Sequence, residues 1–277
     1  MSIRFGIGVG GNLTPPELPG LVDRLETDGV DSLWFSELVH SPAVDPFVGM
    51  AFAASRTTRL KVGTSVAILP GRQPVLVAKQ LISLSALAPR RILPVFGLQP
   101  ALPDDRDLFP VHGRRGDVFD ESLRQLRTAL DSDDIRQGTP GSLDIWLGGR
   151  APAAFRRIGT LGDGWLGSFL TPAEAEAGVS AIRAAAADAG RQVDDDHFGI
   201  TLLVTDGDHP DEVMRRIGAQ RPDVDPRELV ATDWPSLHKL IDHHIAAGLS
   251  KFVIVSAGGD ITSFVDRFVG ELLPRQN

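Results

Sequence analysis

The sequence predicts a single α/β domain, a (β/α)₈ barrel in which eight strands are each followed by a helix. The first supporting observation is that short apolar stretches alternate with longer stretches of helical periodicity along the whole chain. The second is the length of 277 residues, which fits one barrel of roughly 250 residues, although two smaller domains would also fit. The third is that no low-complexity segment interrupts the alternation. We therefore expect one domain over residues 1–277.

Each element is predicted from its local pattern. Residues 3–9 alternate apolar and small side chains, which is typical of a buried strand, and residues 16–28 place Leu18, Leu21 and Leu25 on one helix face. Gly29 then ends that helix as a C-cap. The predicted strands are 3–9, 31–35, 60–66, 91–96, 143–147, 162–166, 198–204 and 251–255. The predicted helices are 16–28, 46–55, 75–87, 117–130, 151–159, 172–189, 235–247 and 261–273.

Three stretches depart from the regular alternation. Pro94 lies within the fourth strand and removes a donor from the ladder of hydrogen bonds, so we expect a distortion or an early strand end there. Residues 131–142 are predicted to be a short surface linker. Residues 210–232 are polar and contain prolines, with a short helix over 211–217. We interpret them as an excursion after the seventh strand, at the face where barrel enzymes bind substrate.

Composition excludes several classes of function. The net charge of −8 argues against general binding of nucleic acid or an anionic membrane, because their phosphate charges repel such a surface. The chain has no cysteine, which excludes disulfides, thiolate metal sites and cysteine nucleophiles, and we predict no metal site. The first residues lack the apolar run of a signal peptide, and no stretch of about 18 apolar residues predicts a membrane span. We therefore expect a cytoplasmic protein.

The most informative stretch is residues 145–165, IWLGGRAPAAFRRIGTLGDGW. Its apolar run ends at Gly148 and Gly149, and a helix-favouring run follows, with Pro152 at a position that a first helical turn tolerates. A strand, a glycine turn and a helix N-terminus together form an anion site, because backbone N–H groups there are unpaired and the helix dipole is positive. The alternative is a turn that needs glycine only for a positive φ angle, and these residues alone leave both interpretations open.

This stretch resembles the signature of the luciferase-like flavin or deazaflavin (F420) oxidoreductases. Three further stretches agree with that family in the expected order: residues 33–37 (LWFSE), 60–80 (LKVGTSVAILPGRQPVLVAKQ) and 113–121 (GRRGDVFDE). The resemblance covers most of the chain. It implies a (β/α)₈ barrel with a flavin-type ring at the carboxyl ends of the strands and a small-molecule substrate. It also implies a homodimer, because relatives commonly dimerise.

The resemblance further implies a set of cofactor-binding residues. The ring would rest on a non-prolyl cis peptide bond, which corresponds here to Ser65–Val66. The cofactor phosphate would be held by Gly148, Gly149 and Arg150, together with the helix N-terminus that follows them. The remaining predicted contacts lie in or just after the first, second and fourth strands, at Gly8, Gly10, Glu37, Gly97 and Leu98.

The proton-transfer groups of one branch of this family are missing at the matching positions. Ser36-Glu37-Leu38 aligns with a frequent [SA]-D-H pattern, so the acid is retained as Glu37 and the histidine is replaced by Leu38. That histidine is the proposed base in the F420-dependent sugar-phosphate dehydrogenase branch, whose acid after the fourth strand falls at Gln99. These differences argue against sugar dehydrogenation. Glu37 and His40 are the remaining catalytic candidates, and a solvent-exposed loop histidine is the alternative for His40.

We predict an oxidoreductase or monooxygenase that uses F420 or FMN to transfer a hydride or oxygen to a small organic substrate. F420 is favoured by resemblance alone. A flavin-type ring carries out its own hydride or oxygen chemistry, so a missing acid and base do not exclude activity. A non-catalytic binder of flavin or F420 is one alternative.

A Rossmann-type NAD(P)-dependent dehydrogenase is the other alternative, because residues 6–11 (GIGVGG) satisfy the G-x-G-x-x-G pattern and Glu37 ends the second strand. The glycines begin inside the first strand, however, and residues 12–15 separate them from the first helix. In a dinucleotide-binding fold the motif itself opens that helix.

Overall fold

The computed structural model of the chain describes residues 2–100, 103–137, 141–205 and 210–277. Strands and helices alternate through these ranges. The strands are β1 (Arg4–Val9), β2 (Ser32–Phe35), β3 (Lys61–Thr64), β4 (Ala67–Ile68), β5 (Ile92–Leu93), β6 (Val95–Gly97), β7 (Trp146–Gly148), β8 (Gly164–Ser168), β9 (Phe198–Val204), β10 (Val230–Ala231) and β11 (Lys251–Ser256). The helices are α1 (Leu18–Asp28), α2 (Pro46–Arg56), α3 (Pro74–Leu87), α4 (Arg115–Asp131), α5 (Asp133–Arg136), α6 (Pro152–Leu161), α7 (Pro172–Asp188), α8 (Pro210–Gln220), α9 (Trp234–Ala246) and α10 (Ile261–Leu272). Short 3₁₀ turns cover Pro15–Glu17, Pro103–Leu108, Pro226–Glu228 and Leu273–Arg275.

The strands form one parallel sheet that closes on itself, which confirms the predicted barrel. Its order is β4-β6-β7-β8-β9-β11-β1-β2-β3-β5. The two ends of this path meet, because β3 and β4 are halves of one strand and β5 and β6 are halves of the next. Within this pair of broken strands, β3 pairs with β5 and β4 pairs with β6. The interruption between β5 and β6 is Pro94, as predicted.

The Thr64 side chain joins the two broken strands. Its Oγ1 donates a hydrogen bond to the Val95 carbonyl at 2.6 Å and accepts one from the Val95 N–H at 2.8 Å. One hydroxyl thus satisfies both backbone groups of Val95 on this side, next to the proline that has no N–H of its own. The break therefore leaves both backbone groups of the buried Val95 hydrogen-bonded.

The barrel interior is filled by tryptophan side chains that need glycines opposite them. Trp34 and Trp146 belong to a small inner cluster of buried apolar side chains. A Cβ atom at Gly63 would lie 2.7 Å from the Trp34 ring, and one at Gly164 would lie 2.5 Å from Trp146 Cδ2. Real Cβ atoms do not approach this closely, so these strand positions require glycine. The barrel is a packed core, and a ligand site must lie outside it.

The amino-terminal end of the barrel carries a buried ionic cluster. The two carboxylate oxygens of Asp31 accept hydrogen bonds from Lys61 Nζ at 2.9 Å and from Lys251 Nζ at 3.1 Å. Burial alone would raise the pKa of Asp31, but the charges of Lys251 and Lys61 outweigh it and lower that pKa to about 2. A cavity of about 290 Å³ also lies near this end, beside Asp144 and Asp163. These features are remote from the carboxyl ends of the strands, and we expect them to stabilise the barrel.

Two segments contain more regular structure than predicted. The linker predicted over 131–142 includes the single turn α5, and its residues 138–140 lie outside the described residues. The helix predicted over 211–217 is the longer α8, and β10 pairs with the carboxyl end of β9. Buried side chains from these elements form a separate small core at this end, composed of Val213, Ile217, Leu229 and Val230. The excursion after β9 is therefore a packed unit. Among the described helices, none is long and apolar enough to cross a membrane.

We expect Gly164→Ala to destabilise the protein by about 1–3 kcal/mol, because the added methyl group overpacks the barrel interior against Trp146. Gly270→Ala is the matched control, since Gly270 lies in α10 and, beyond its chain neighbours and the nearby backbone of that helix, no described atom lies within 4 Å of its would-be Cβ. The control should be neutral or stabilising by up to about 1 kcal/mol, because alanine favours a helix. Denaturant unfolding measures both. Equal stabilities of the two variants would contradict this account of the core.

Candidate functional site

Val66 lies where three strand ends meet. The Ser65–Val66 peptide bond, between β3 and β4, is cis, as expected. The position that a Cβ atom would take at Gly97 lies 2.6 Å from Val66 Cγ2, and the corresponding position at Gly148 lies 3.1 Å from Val66 Cγ1. The Val66 side chain therefore occupies the space that side chains at the ends of β6 and β7 would need. Gly97 and Gly148, both predicted cofactor contacts, are brought together around it.

The ends of β1, β2 and β3 meet at a second group of small residues. Ser36 Oγ lies 3.4 Å from the Ser65 carbonyl oxygen and 3.5 Å from Ser65 Oγ. The would-be Cβ of Gly10 lies 3.8 Å from Ser36 Oγ and 3.2 Å from Leu38 Cδ1. Gly10, Ser36 and Ser65 thus form a small polar surface beside Val66.

Gly8 and Leu98, two other predicted contacts, have packing explanations. The side chains of Val255 and Val253 would lie 2.6 Å and 3.0 Å from a Cβ at Gly8, so neighbouring side chains already fill the space beside this glycine. Leu98 is partly buried and packs against the main core. Their predicted role in cofactor binding stays a prediction.

Glu37 and Arg72 form a buried clamp on the backbone after the cis bond. The Arg72 guanidinium pairs with Glu37 Oε1, and Glu37 Oε2 accepts a hydrogen bond from the Ile68 N–H at 2.6 Å. Arg72 Nε also donates to the Ile68 carbonyl at 2.8 Å. Glu37 therefore holds β4 in place through both of its oxygens. Burial raises the pKa of Glu37, although the charge of Arg72 and the Ile68 N–H act in the opposite direction.

The glycine turn after β7 leads directly into helix α6. Gly149 has a φ angle of +127°, in the region that favours glycine, and a Cβ there would lie 2.8 Å from Ala154 Cβ. The Trp165 indole N–H donates to the Gly149 carbonyl at 2.8 Å and fixes the turn. Within the described residues, no side chain caps the first turn of α6. Side-chain caps begin several other helices, at Asp45, Thr171, Asp233 and Asp260. In this first turn Pro152 has no N–H and the Ala154 N–H donates to the Ala151 carbonyl at 2.8 Å, so among the described groups the Ala153 N–H remains for an anion.

Arg150 follows this turn and is exposed. Partial burial and the charge of nearby Arg221 lower the pKa of Arg150. Arg221 is itself buried and pairs with Glu174 Oε1 at 2.7 Å and Asp223 Oδ2 at 2.9 Å. No hydrogen bond or ion pair joins the Arg150 side chain to another described residue. Arg150 is thus a cation beside an uncapped helix N-terminus.

His40 lies in the loop after β2, and its Nδ1 lies 2.6 Å from Oδ1 of Asp105. Asp105 belongs to the 3₁₀ turn Pro103–Leu108, which follows β6, and its side chain is buried. The sequence analysis did not identify Asp105. The signal that was available, an acidic run at 104–107, is also typical of a solvated loop.

A model of the luciferase-like monooxygenase family matches residues 2–233. The chain belongs to this family. An uncharacterized protein of Mycobacterium tuberculosis is 32% identical over 63% of this chain, which spans 64% of the length of that relative. An F420-dependent glucose-6-phosphate dehydrogenase of Kribbella flavida is 25% identical and matches 99% of this chain and 98% of its own. A solved F420-dependent secondary alcohol dehydrogenase, in complex with an F420–acetone adduct, has a TM-score of 0.84 at 16% identity, with both chains covered completely.

Membership in the luciferase-like family confirms the resemblance on which the barrel was expected. The Rossmann alternative is wrong as a fold. Gly6 and Gly8 lie inside β1 of a closed barrel, and a Cβ at Gly6 would lie 2.6 Å from Trp34 Nε1, so this glycine serves the packing of the interior. The homodimer stays a prediction.

We expect Arg72→Met to destabilise this luciferase-like protein by about 3–5 kcal/mol, because it leaves the Glu37 carboxylate buried without its partner. The double variant Arg72→Met/Glu37→Gln should recover part of this loss, since it removes the uncompensated charge. Arg59→Met is the control: Arg59 is exposed, its guanidinium lies 3.8 Å from the Glu26 carboxylate and donates to the Glu26 carbonyl at 2.7 Å, and loss of these surface contacts should cost less than about 1 kcal/mol. Urea unfolding of the four proteins checks the order. A double variant no more stable than Arg72→Met would argue against the clamp.

Proposed function

We propose that this protein is an oxidoreductase that binds F420, with FMN as the second candidate, and transfers a hydride to or from a small organic substrate. The observation that carries the proposal is the adjacency of two features. One is the surface of small residues around Ser65–Val66, and the other is the uncapped N-terminus of α6 beside Arg150.

The residues at the carboxyl ends of the strands fit a flat ring with an anionic tail. Gly10, Ser36 and Ser65 leave a surface on which a planar group can lie close to the backbone. Gly148 joins this surface to the glycine turn, because its would-be Cβ lies 3.1 Å from Val66 Cγ1. A bound deazaflavin or flavin ring would supply hydride transfer there, and a flavin also supplies oxygen chemistry.

The protein's own part is to bind, orient and exclude water. The Ala153 N–H in the first turn of α6 and the Arg150 guanidinium would bind the phosphate of the cofactor. A phosphate there would also relieve the repulsion between Arg150 and Arg221, which lowers the pKa of Arg150. The Glu37–Arg72 clamp and the Trp165–Gly149 hydrogen bond would keep the ring surface and the phosphate turn at a fixed spacing.

F420 is preferred because a relative that matches nearly the whole chain is named for its F420 dependence, and so is a similar solved structure. The family model is described by its monooxygenases, which favours an FMN enzyme as the second candidate. Leu38 and Gln99 stand where the sugar-phosphate branch has its base and acid, so we propose substrates other than sugar phosphates. A non-catalytic protein that binds flavin or F420 would show the same cofactor binding, but it would not turn over a substrate.

A melting-temperature screen with F420, FMN, NAD and NADP tests the proposal. A ligand at about 100 times its Kd stabilises the native state by about 2.7 kcal/mol, which should raise the Tm by several degrees. We expect F420, or else FMN, to give this shift, and NAD and NADP to give none. Oxidation or reduction of the bound ring with a panel of ketones, enones and alcohols then separates an enzyme from a binder. Lack of stabilisation by both F420 and FMN would reject the proposed function.

We expect Arg150→Ala to weaken F420 binding by about 10- to 100-fold, the loss of one charge-assisted hydrogen bond to phosphate. Arg156→Ala is the matched control, because Arg156 is exposed on the same helix, further from its N-terminus, and its removal changes the net charge equally. The control should bind normally. Fluorescence titration of the cofactor measures both affinities, and equal affinities would place the phosphate away from α6.

A further inference from the structure

The loops that follow β2 and β6 are joined by one polar contact, between His40 and Asp105. His40 Nδ1 lies 2.6 Å from Asp105 Oδ1, and the other carboxylate oxygen of Asp105 accepts a hydrogen bond from the Val39 N–H at 3.3 Å. The two side chains differ sharply in exposure, 59% for His40 and 1% for Asp105. The buried Asp105 carboxylate is thus hydrogen-bonded to Nδ1 of His40, while the rest of the His40 ring is exposed to solvent.

The position of this contact follows from the order of the strands. β2 and β6 are not neighbours, because the broken strand β3–β4 lies between them. The His40–Asp105 contact therefore spans the carboxyl end of the strand that contains Ser65–Val66. A second contact joins the loop after β6 to the loop after β4, since Phe109, just after the turn of Asp105, packs 5.4 Å from the Arg72 guanidinium that pairs with Glu37. Both loops therefore lie at the carboxyl ends of the strands, which is the end of the barrel that carries the proposed cofactor site.

The chemistry of the pair sets the state of the imidazole. An ionised carboxylate can only accept hydrogen bonds, so Nδ1 of a neutral His40 must carry the proton that lies between them. Nε2 is then left with a free lone pair. Asp105 is the one charged side chain within ion-pair distance of His40 among the residues described. No other such group competes for the orientation of the ring.

We propose that Asp105 is a positioning residue that holds His40 with Nε2 free to exchange a proton with the substrate at the carboxyl ends of the strands. The proposal rests on the proposed function for its reaction. A substrate that gives a hydride, with its two electrons, to the oxidised ring must also lose a proton, and Nε2 of His40 accepts that proton. In the reverse direction the His40 imidazolium would return a proton to the substrate as the substrate gains a hydride, so the same nitrogen would serve both directions.

The first test reads the tautomer of His40 in the protein without cofactor. Nitrogen-15 NMR of histidine-labelled protein distinguishes a protonated Nδ1 from a protonated Nε2, and His40→Gln identifies the signal among the seven histidines. We expect Nδ1 to be protonated in the wild type. In Asp105→Asn the amide oxygen is retained by the Val39 N–H, so the amide NH₂ faces Nδ1 and should move the proton to Nε2. Asp107→Asn, an exposed aspartate in the same turn, is the control and should leave the tautomer unchanged.

The second test separates positioning from general stability. With cofactor bound, we expect Asp105→Asn to lower kcat by about 10²- to 10⁴-fold with little change in KM, and Asp107→Asn to leave both unchanged. In the His40→Gln background, Asp105→Asn should have no further effect on kcat, because it acts through His40. If Asp105→Asn fails to fold, the proposal is tested by the wild-type tautomer, which should be protonated at Nδ1, and by His40→Gln, which should lower kcat.

Three results would overturn the proposal: a wild-type His40 protonated at Nε2, identical NMR signals for Asp105→Asn and the wild type, or additive losses in the double variant. A wild type that binds neither F420 nor FMN would instead reject the proposed function, while the tautomer result would still stand on its own.

Discussion

Two neighbouring strands of this barrel break at the same height, and the Thr64 hydroxyl holds the broken strands together. It bonds both the N–H and the carbonyl of Val95 on one side of the strand, next to Pro94, which interrupts that strand. These two hydrogen bonds keep the buried backbone of Val95 paired. Beside the break, the Val66 side chain lies against Gly97 and Gly148. The shape of the candidate site depends on these broken strands, because Gly97, Gly148, Ser65 and the Glu37–Arg72 clamp on Ile68 all lie in them or beside them.

The packing of the interior explains why the site lies only at one end. Trp34 and Trp146 fill the barrel interior beside Gly63 and Gly164, their paired residues on the neighbouring strands, so these side chains occupy the space along the axis. The amino-terminal end is closed by the ionic cluster of Asp31 with two lysines. At the carboxyl end β6 and β7 finish in glycine and β8 and β11 in serine, and the connecting loops supply the charged side chains. In this architecture the amino-terminal end generally stabilises the fold, and the carboxyl end carries the functional residues.

Parts of the candidate site were predictable because their signals are local. A glycine pair before a helix and a proline inside a strand are visible in the sequence, and each has the predicted local geometry, whereas the cis bond Ser65–Val66 was expected from the family resemblance. Asp105 and Trp165 were not assigned their roles, because each acts on a partner in another segment. The bond of Trp165 to Gly149 spans sixteen residues, and that of Asp105 to His40 spans 65. No spacing rule connects such positions.

By itself, the sequence determined the alternation of strands and helices, the glycine turn before α6 and the charge of the chain. These follow from periodicity, backbone preferences and composition, which act over a few residues. Only the tertiary structure decided that Glu37 is clamped by Arg72 and that His40 meets a buried carboxylate. It also decided that the glycines of β1 serve the packing of a closed barrel. The physical reason is that burial and ion pairing depend on which strand ends become neighbours when the sheet closes, and that is a property of the whole fold.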